Sequence, residues 1–261
     1  MWIDSHCHIT ADDFREDRSD VLDRAEQAGV ETVIAIGAGY GLEHNERALE
    51  LAAQDPRLFA TVGVHPHDAE QLDDEGRKRL RHWLRRPRVV AVGECGLDYF
   101  YMNSPREIQR EVFAEQVALA REVDLPVVIH LRDREENAYR DLMEIWKREG
   151  GGKVEGVLHC YSHDLAFARR ALDERLYISF SGILTFKRSR ELREVAAALP
   201  SDRLLVETDA PLLSPEGFRG KRNEPAHVRR VGEVLAEIQG CSAEEVARET
   251  AENTRRLFRL P

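Results

Sequence analysis

No stretch of this 261-residue chain approaches the roughly 18 consecutive apolar residues of a membrane helix, so no segment is read as crossing a bilayer. The opening Met1-Trp2-Ile3 reads as the start of a strand and lacks the basic and apolar regions of a signal peptide. Cysteine is scarce. Cys7, Cys95, Cys160 and Cys241 are the only four, and none forms a C-x-x-C pair, so the expectation is a cytoplasmic protein with free thiols. Positive charge is also short. With 38 Lys and Arg against 48 Asp and Glu, the formal charge is −10, which argues against a large surface for gripping duplex DNA while allowing a local basic cleft. No G-x-G-x-x-G follows the first apolar run, so a dinucleotide fold has no local support. Neither a linker nor a low-complexity stretch interrupts the chain, and residues 1–261 are expected to form a single domain.

What the chain does have is alternation. Short apolar runs predict strands at Trp2–Asp4, Thr32–Ile36, Phe59–Val64, Val89–Gly93, Val127–His130, Gly156–His159, Tyr177–Ser179 and Leu204–Glu207. Between them, helical patterns fall at Ser19–Ala28, Leu42–Gln54, Ala69–Arg85, Glu107–Val123, Asn137–Arg148, Leu165–Asp173, Arg190–Ala198 and Ala226–Gln239. One or two terminal helices are expected over Ala243–Leu257. Ser104-Pro105 reads as an N-cap and first-turn proline for the fourth helix. Strict β-α alternation implies a parallel sheet with helical crossovers, and eight repeats favour closure into an α/β barrel of the (βα)8 type. The longest irregular segment, Pro211–Pro225, is expected to be a functional rim loop.

Six candidate metal ligands each follow one of the apolar runs: His6 and His8, Glu94, His130, His159 and Asp209. A (βα)8 enzyme builds its chemistry at the C-terminal ends of its strands, where these residues fall. In an extended backbone His6 and His8 share a face, so one cation fits between two imidazoles, and Asp4 on that face could orient a histidine. Buried beside an apolar strand, Glu94 calls for a compensating cation, and its two oxygens allow it to bridge two. Asp209 could ligate a metal and take a proton from a bound water, whose pKa a metal lowers from about 15.7 toward about 7. Imidazole and carboxylate donors suit Zn, Mn or Mg alike. Each histidine alone is an ordinary core or surface residue; the set on separate strand ends carries the metal reading. The cysteines beside these positions read as small buried residues on the opposite face, with thiolate ligation as the alternative. No Ser or Cys has a plausible base partner beside it.

His65 and His67 either contact substrate or cap the third strand, and Arg132 shares a face with His130. The Arg219-Gly220-Lys221-Arg222-Asn223-Glu224-Pro225 loop concentrates positive charge; it either grips phosphate through Lys221 and Arg222 or is a solvated loop salted to nearby acids.

These motifs resemble the TatD-type metal-dependent deoxyribonucleases of the amidohydrolase superfamily. The matching segments are Asp4-Ser5-His6-Cys7-His8, Gly63-Val64-His65-Pro66-His67, Gly93-Glu94-Cys95-Gly96-Leu97-Asp98-Tyr99, His130-Leu131-Arg132, His159-Cys160-Tyr161-Ser162, Glu207-Thr208-Asp209-Ala210-Pro211 and the 219–225 loop, in the family's order. The resemblance implies a distorted barrel with one to three divalent ions. It implies that His6, His8, Glu94 and Asp209 hold one ion, and Glu94, His130 and His159 a second. It further implies metal-activated hydrolysis of phosphodiester bonds, 3′-to-5′ at single-stranded ends, DNA before RNA, with abasic sites also in range. One departure is His163, which stands where the family has a small residue such as Gly; it either adds a ligand or fills space. A D-aminoacyl-tRNA deacylase or small-molecule amidohydrolase using the same site is the rival reading, and a non-catalytic metal-binding protein the third.

Overall fold

The computed structural model describes residues 1–261. Eight strands run β1 (Trp2–Cys7), β2 (Val30–Ile36), β3 (Leu58–Val62), β4 (Val89–Asp98), β5 (Val127–Arg132), β6 (Gly156–Leu158), β7 (Leu176–Phe180) and β8 (Leu204–Val206). They lie in one sheet in sequence order. Nine α-helices alternate with them: α1 (Arg18–Gln27), α2 (Glu43–Gln54), α3 (Asp74–Trp83), α4 (Arg106–Val123), α5 (Asn137–Gly150), α6 (Leu165–Asp173), α7 (Arg190–Ala198), α8 (Val228–Gln239) and α9 (Ala243–Phe258). No helix is long and apolar enough to cross a membrane.

The chain divides into two compact units, residues 1–35 with 159–261, and residues 36–158. In the first unit, β1 pairs with β2 and β7 with β8, all parallel. The last strand also returns to the first. Cys7 bridges Ala210 in parallel. The His8 N–H donates to the Ala210 carbonyl at 2.8 Å, and the Asp209 N–H to the His6 carbonyl at 3.0 Å. Sequential parallel order with the eighth strand back on the first is the connectivity of a (βα)8 barrel. The α9 helix opens with a reciprocal Ser242–Glu245 capping box and is continuous over the predicted tail. From its middle, the Asn253 amide donates to the carbonyls of Ser201 and Leu204, pinning the helix to the start of β8.

In the second unit, β3, β4, β5 and β6 pair in parallel. Val127, Val128 and Ile129 are fully buried, as a continuous apolar run in a parallel sheet requires. On α4, Val112, Phe113, Val117 and Ala120 face the core at helical spacing. Two buried amides interrupt that stripe. Gln109 accepts from the Asp98 N–H and donates to the Asp98 carbonyl, and Gln116 does the same for Val64. The helix therefore fixes the chain at the ends of β3 and β4.

Three local expectations change. β4 runs to Asp98, five residues past its predicted end, because Gly96, Leu97 and Asp98 remain paired with His130, Leu131 and Arg132. α3 starts at Asp74, where Asp73 caps it through the Gly76 N–H; residues 66–71 form a separate 3-10 turn. Ser104 does not cap α4. Its hydroxyl donates to the His67 carbonyl and accepts from the Glu70 N–H, tying that turn down.

Gly96 has φ 145°, and a Cβ there would collide with the His130 carbonyl oxygen. Gly96→Ala should therefore destabilise by about 1–3 kcal/mol through overpacking, a fall in Tm of roughly 2–12 °C for a chain of this size. Thermal unfolding followed by circular dichroism checks this, and an unchanged Tm would contradict the close β4–β5 approach.

Candidate metal centre

Three donors converge in the first unit. The Nε2 atoms of His6 and His8 lie 3.3 Å apart. Both face Asp209 Oδ1, at 3.6 and 3.4 Å respectively. All three residues are buried, and they form a group spaced to hold a metal ion. The alternation of β1 delivers the two histidines to one face. Asp209 has φ 55°, a left-handed conformation that, glycine aside, asparagine and aspartate tolerate best and that often marks functional positions. Burial works to raise the Asp209 carboxyl, but the hydrogen bond from His8 and the imidazoles of His6, His8 and His159 outweigh it and hold it below its ordinary value. It is ionised throughout the neutral range.

His159 stacks on His6 with ring centroids 3.9 Å apart. Its Nδ1 lies 3.2 Å from Glu207 Oε1, which also accepts from the Cys160 N–H at 2.8 Å. With Nδ1–H donated to this carboxylate, Nε2 keeps its lone pair for a ligand, the carboxylate–histidine–metal arrangement. Asp4 does not orient a histidine ring as expected. Its carboxyl takes the Thr208 N–H at 2.9 Å and the Thr208 hydroxyl at 2.5 Å, so it locks β1 to the chain after β8. Burial pushes the Asp4 carboxyl up to about 8 despite those hydrogen bonds.

The second unit holds its own group, His65, Glu94 and His130. His130 stands between two carboxylates, with Nδ1 2.9 Å from Glu94 Oε1 and Nε2 3.0 Å from Asp98 Oδ2. A neutral imidazole donates from one nitrogen only. If Nε2–H goes to Asp98, the Nδ1 lone pair faces the Glu94 oxygen, and two acceptors that close call for a proton or a cation. The donor set thus fits a divalent ion. Burial works to raise the Asp98 carboxyl, but hydrogen bonds from His130 and His67 hold it far below the ordinary carboxylate range. Asp98 Oδ1 also accepts the N–H groups of Phe100 and Tyr101.

His65 is a member of this group and also caps the turn that follows β3. His65 Nδ1 accepts the His67 N–H at the start of the 66–71 turn, which directs its Nε2–H toward Glu94 Oε1, 3.4 Å away. Burial brings its pKa down to about 4, so it is neutral at pH 7. Arg132 is exposed at the end of β5, its guanidinium over the rings of Phe100 and Tyr101. Arg222 is engaged elsewhere. Its two terminal nitrogens donate to both Asp17 oxygens, at 2.9 and 2.6 Å, and to Glu224 at 3.2 Å. Those bonds, with help from Arg24, hold the Asp17 carboxyl down to about 2. Lys221 is exposed on the same loop.

No cysteine joins either group. Cys7 and Cys95 are fully buried, and burial raises both thiols far above their ordinary value, so neither offers a thiolate at neutral pH. His163 also lies outside both groups; it lines a cleft of about 570 Å³ with Ser162, Ile183 and Arg188. Asp98 and Glu207 are the site residues that sequence reasoning missed. The available signal was their spacing: Asp98 lies four residues after Glu94, and Glu207 two before Asp209, even separations that would share a face in a regular strand.

A family profile described as TatD related DNase matches residues 3–259. The chain is 40% identical over 260 residues, 100% of both sequences, to a Bacillus subtilis protein named uncharacterized metal-dependent hydrolase YabD. It is 38% identical over 259 residues, 97% of this chain and 98% of the other, to the 3′-5′ ssDNA/RNA exonuclease TatD of Erwinia tasmaniensis. The crystal structure of YJJV, a TatD homolog from Escherichia coli K12, superposes with a TM-score of 0.91 at 37% identity, covering 100% of this chain and 98% of that one. With its profile matched almost end to end and its eight-stranded fold shared, the chain belongs to the TatD related DNase family of metal-dependent hydrolases.

Proposed function

We propose that this hydrolase is a divalent-metal-dependent phosphodiesterase that trims single-stranded nucleic acid ends in the 3′-to-5′ direction, DNA in preference to RNA. The observation that carries the reading is the pair of histidine–carboxylate groups, one buried and one nearly so, each with facing acceptors that a cation would reconcile. Likeness to relatives named as exonucleases supplies the substrate class. His6, His8, Glu94 and Asp209 are taken to hold one ion, and Glu94, His130 and His159 a second, with Mg, Mn and Zn all suited to these donors. Bound there, divalent ions would polarise a phosphoryl oxygen and lower the pKa of a water.

The chain's own groups do the rest. Asp209, ionised at neutral pH, accepts the proton of the attacking water. Asp98 and Glu207 hold His130 and His159 in one tautomer. His65, which steadies the Glu94 carboxylate, is also taken to contact the substrate. Arg132 and Lys221 meet phosphates directly, and Arg222 does so by exchanging Asp17 for phosphate oxygens, since guanidinium binds either bidentately. The chain acts as one catalytic domain in the cytoplasm, where four free cysteines persist reduced.

The test is nucleotide release from a 3′-labelled single strand with Mg, Mn or Zn, run beside a tRNA mischarged with a D-amino acid. Release should stop with a chelator and return with the ion. Survival of activity in chelator, together with loss on thiol blocking, would overturn the metal reading. Deacylation without nucleotide release would move the assignment to the D-aminoacyl-tRNA reaction.

A further inference from the structure

The rim of the second unit carries an exposed aromatic that the proposed chemistry does not use. Tyr101 is 54% exposed, although a large apolar ring is usually covered. Its backbone is nonetheless fixed, because Asp98 Oδ1 accepts its N–H at 2.9 Å. The ring meets Phe100 edge to face at 4.7 Å and His67 at 5.7 Å. The Arg132 guanidinium lies 4.6 Å from the Phe100 centroid and 4.9 Å from that of Tyr101, and Arg134 lies 4.4 Å from Phe100.

The charge around these rings is unbalanced. Several exposed arginines on the helices of this acidic chain pair with carboxylates, as Arg81 does with Glu122 and Arg190 with Glu194. Arg132 and Arg134 form no ion pair, even with acids next to them in sequence. Asp133 accepts the N–H groups of Glu135 and Ala138, and Glu135 accepts from Asn137. Two guanidiniums and two rings are thus held together without an anion. Asp98, which anchors Tyr101, also anchors His130 and His67 through its other oxygen, at 3.0 and 2.9 Å. One buried carboxylate sets both the platform and a candidate ligand.

We propose that Tyr101, braced by Phe100 and Arg132, is a stacking platform for a nucleobase of the bound single strand, and that Arg132 and Arg134 take the adjoining phosphate. Every base offers a π-face, so such a platform grips without reading sequence. Guanidinium supplies both the cation–π contact and bidentate phosphate bonds. The inference rests on the nuclease reading and names how its substrate is held.

The experiment compares short single strands with an intact 3′ end against strands carrying an abasic residue at each of the last few positions. Wild type, Tyr101→Ala and Tyr101→Phe are assayed for kcat and KM, with fluorescence anisotropy of the same strands in parallel. At one position the abasic strand should lose about tenfold in affinity with wild type, mostly in KM. Tyr101→Ala should lose about as much on the intact strand and nothing further on the abasic one, while Tyr101→Phe keeps wild-type behaviour. Equal loss by Tyr101→Ala on both strands, or no loss on either, overturns the platform. Tenfold discrimination in binding without nucleotide release keeps the platform and overturns the nuclease reading. Hydrolysis of intact and abasic strands with equal kcat/KM at every position does the reverse.

Discussion

Glu94→Gln should abolish turnover and lower metal content together. The residue is buried, and His130 and His65 both direct a ring nitrogen at its Oε1, at 2.9 and 3.4 Å. An amide has nearly the same shape but no charge, and it places an N–H2 where an acceptor is needed. As the proposed shared ligand of two ions, Glu94 would weaken both when neutralised. Charge stabilisation by a catalytic metal amounts to several kcal/mol, and about 4 kcal/mol corresponds to roughly a thousandfold in rate. The measurements are kcat on a single-stranded oligonucleotide and metal content by elemental analysis, with circular dichroism to verify the fold. A folded Glu94→Gln enzyme with its full metal complement and near-native turnover would remove Glu94 from the centre.

Asp209→Asn should separate binding from chemistry. His6 and His8 remain to hold an ion, and the neutral amide oxygen can still face it, so much of the metal should stay. Turnover should fall by about 10²–10⁴-fold, the usual contribution of a general base. The carboxyl is held ionised by the neighbouring imidazoles, so in wild type it is ready to accept a proton at any neutral pH. Asparagine cannot. The comparison needs metal analysis and single-turnover rates on the same preparation. A metal-replete variant that turns over at close to the native rate would take the proton-acceptor role away from Asp209.

The eight-strand alternation was legible because each strand contains a short apolar run and the segments between the runs keep helical spacing. The six candidate ligands were legible because they fall within a few residues of the ends of those runs. What stayed hidden depended on pairing rather than pattern. Gly93, Gly96 and Asp98 are poor strand formers, so β4 read as ending early; its ladder with β5 carries it on and brings Asp98 beneath His130. Glu207 and Asp209 are alike in sequence, and only the bond from His159 shows that one orients a ligand while the other faces two imidazoles. The ion pair that engages Arg222 was hidden because Asp17 lies 205 positions away. Asp4 read as a histidine's partner for the same reason: Thr208, which claims it, is equally remote in sequence.

That last bond has a bearing on how the enzyme comes to exist. Asp209 is synthesised 203 residues after His6, and Thr208, which closes the clasp with Asp4, 204 residues after its partner. At typical synthesis rates of about 5–20 residues per second, that is an interval of roughly 10–40 s. During it the first strand lacks its closing neighbour, and its two imidazoles lack the carboxylate that completes their group. Contacts of such long sequence separation form slowly and late. Since metal affinity couples to the folded site, tight uptake at the first group marks a chain that has been translated past its eighth strand and has closed its ring.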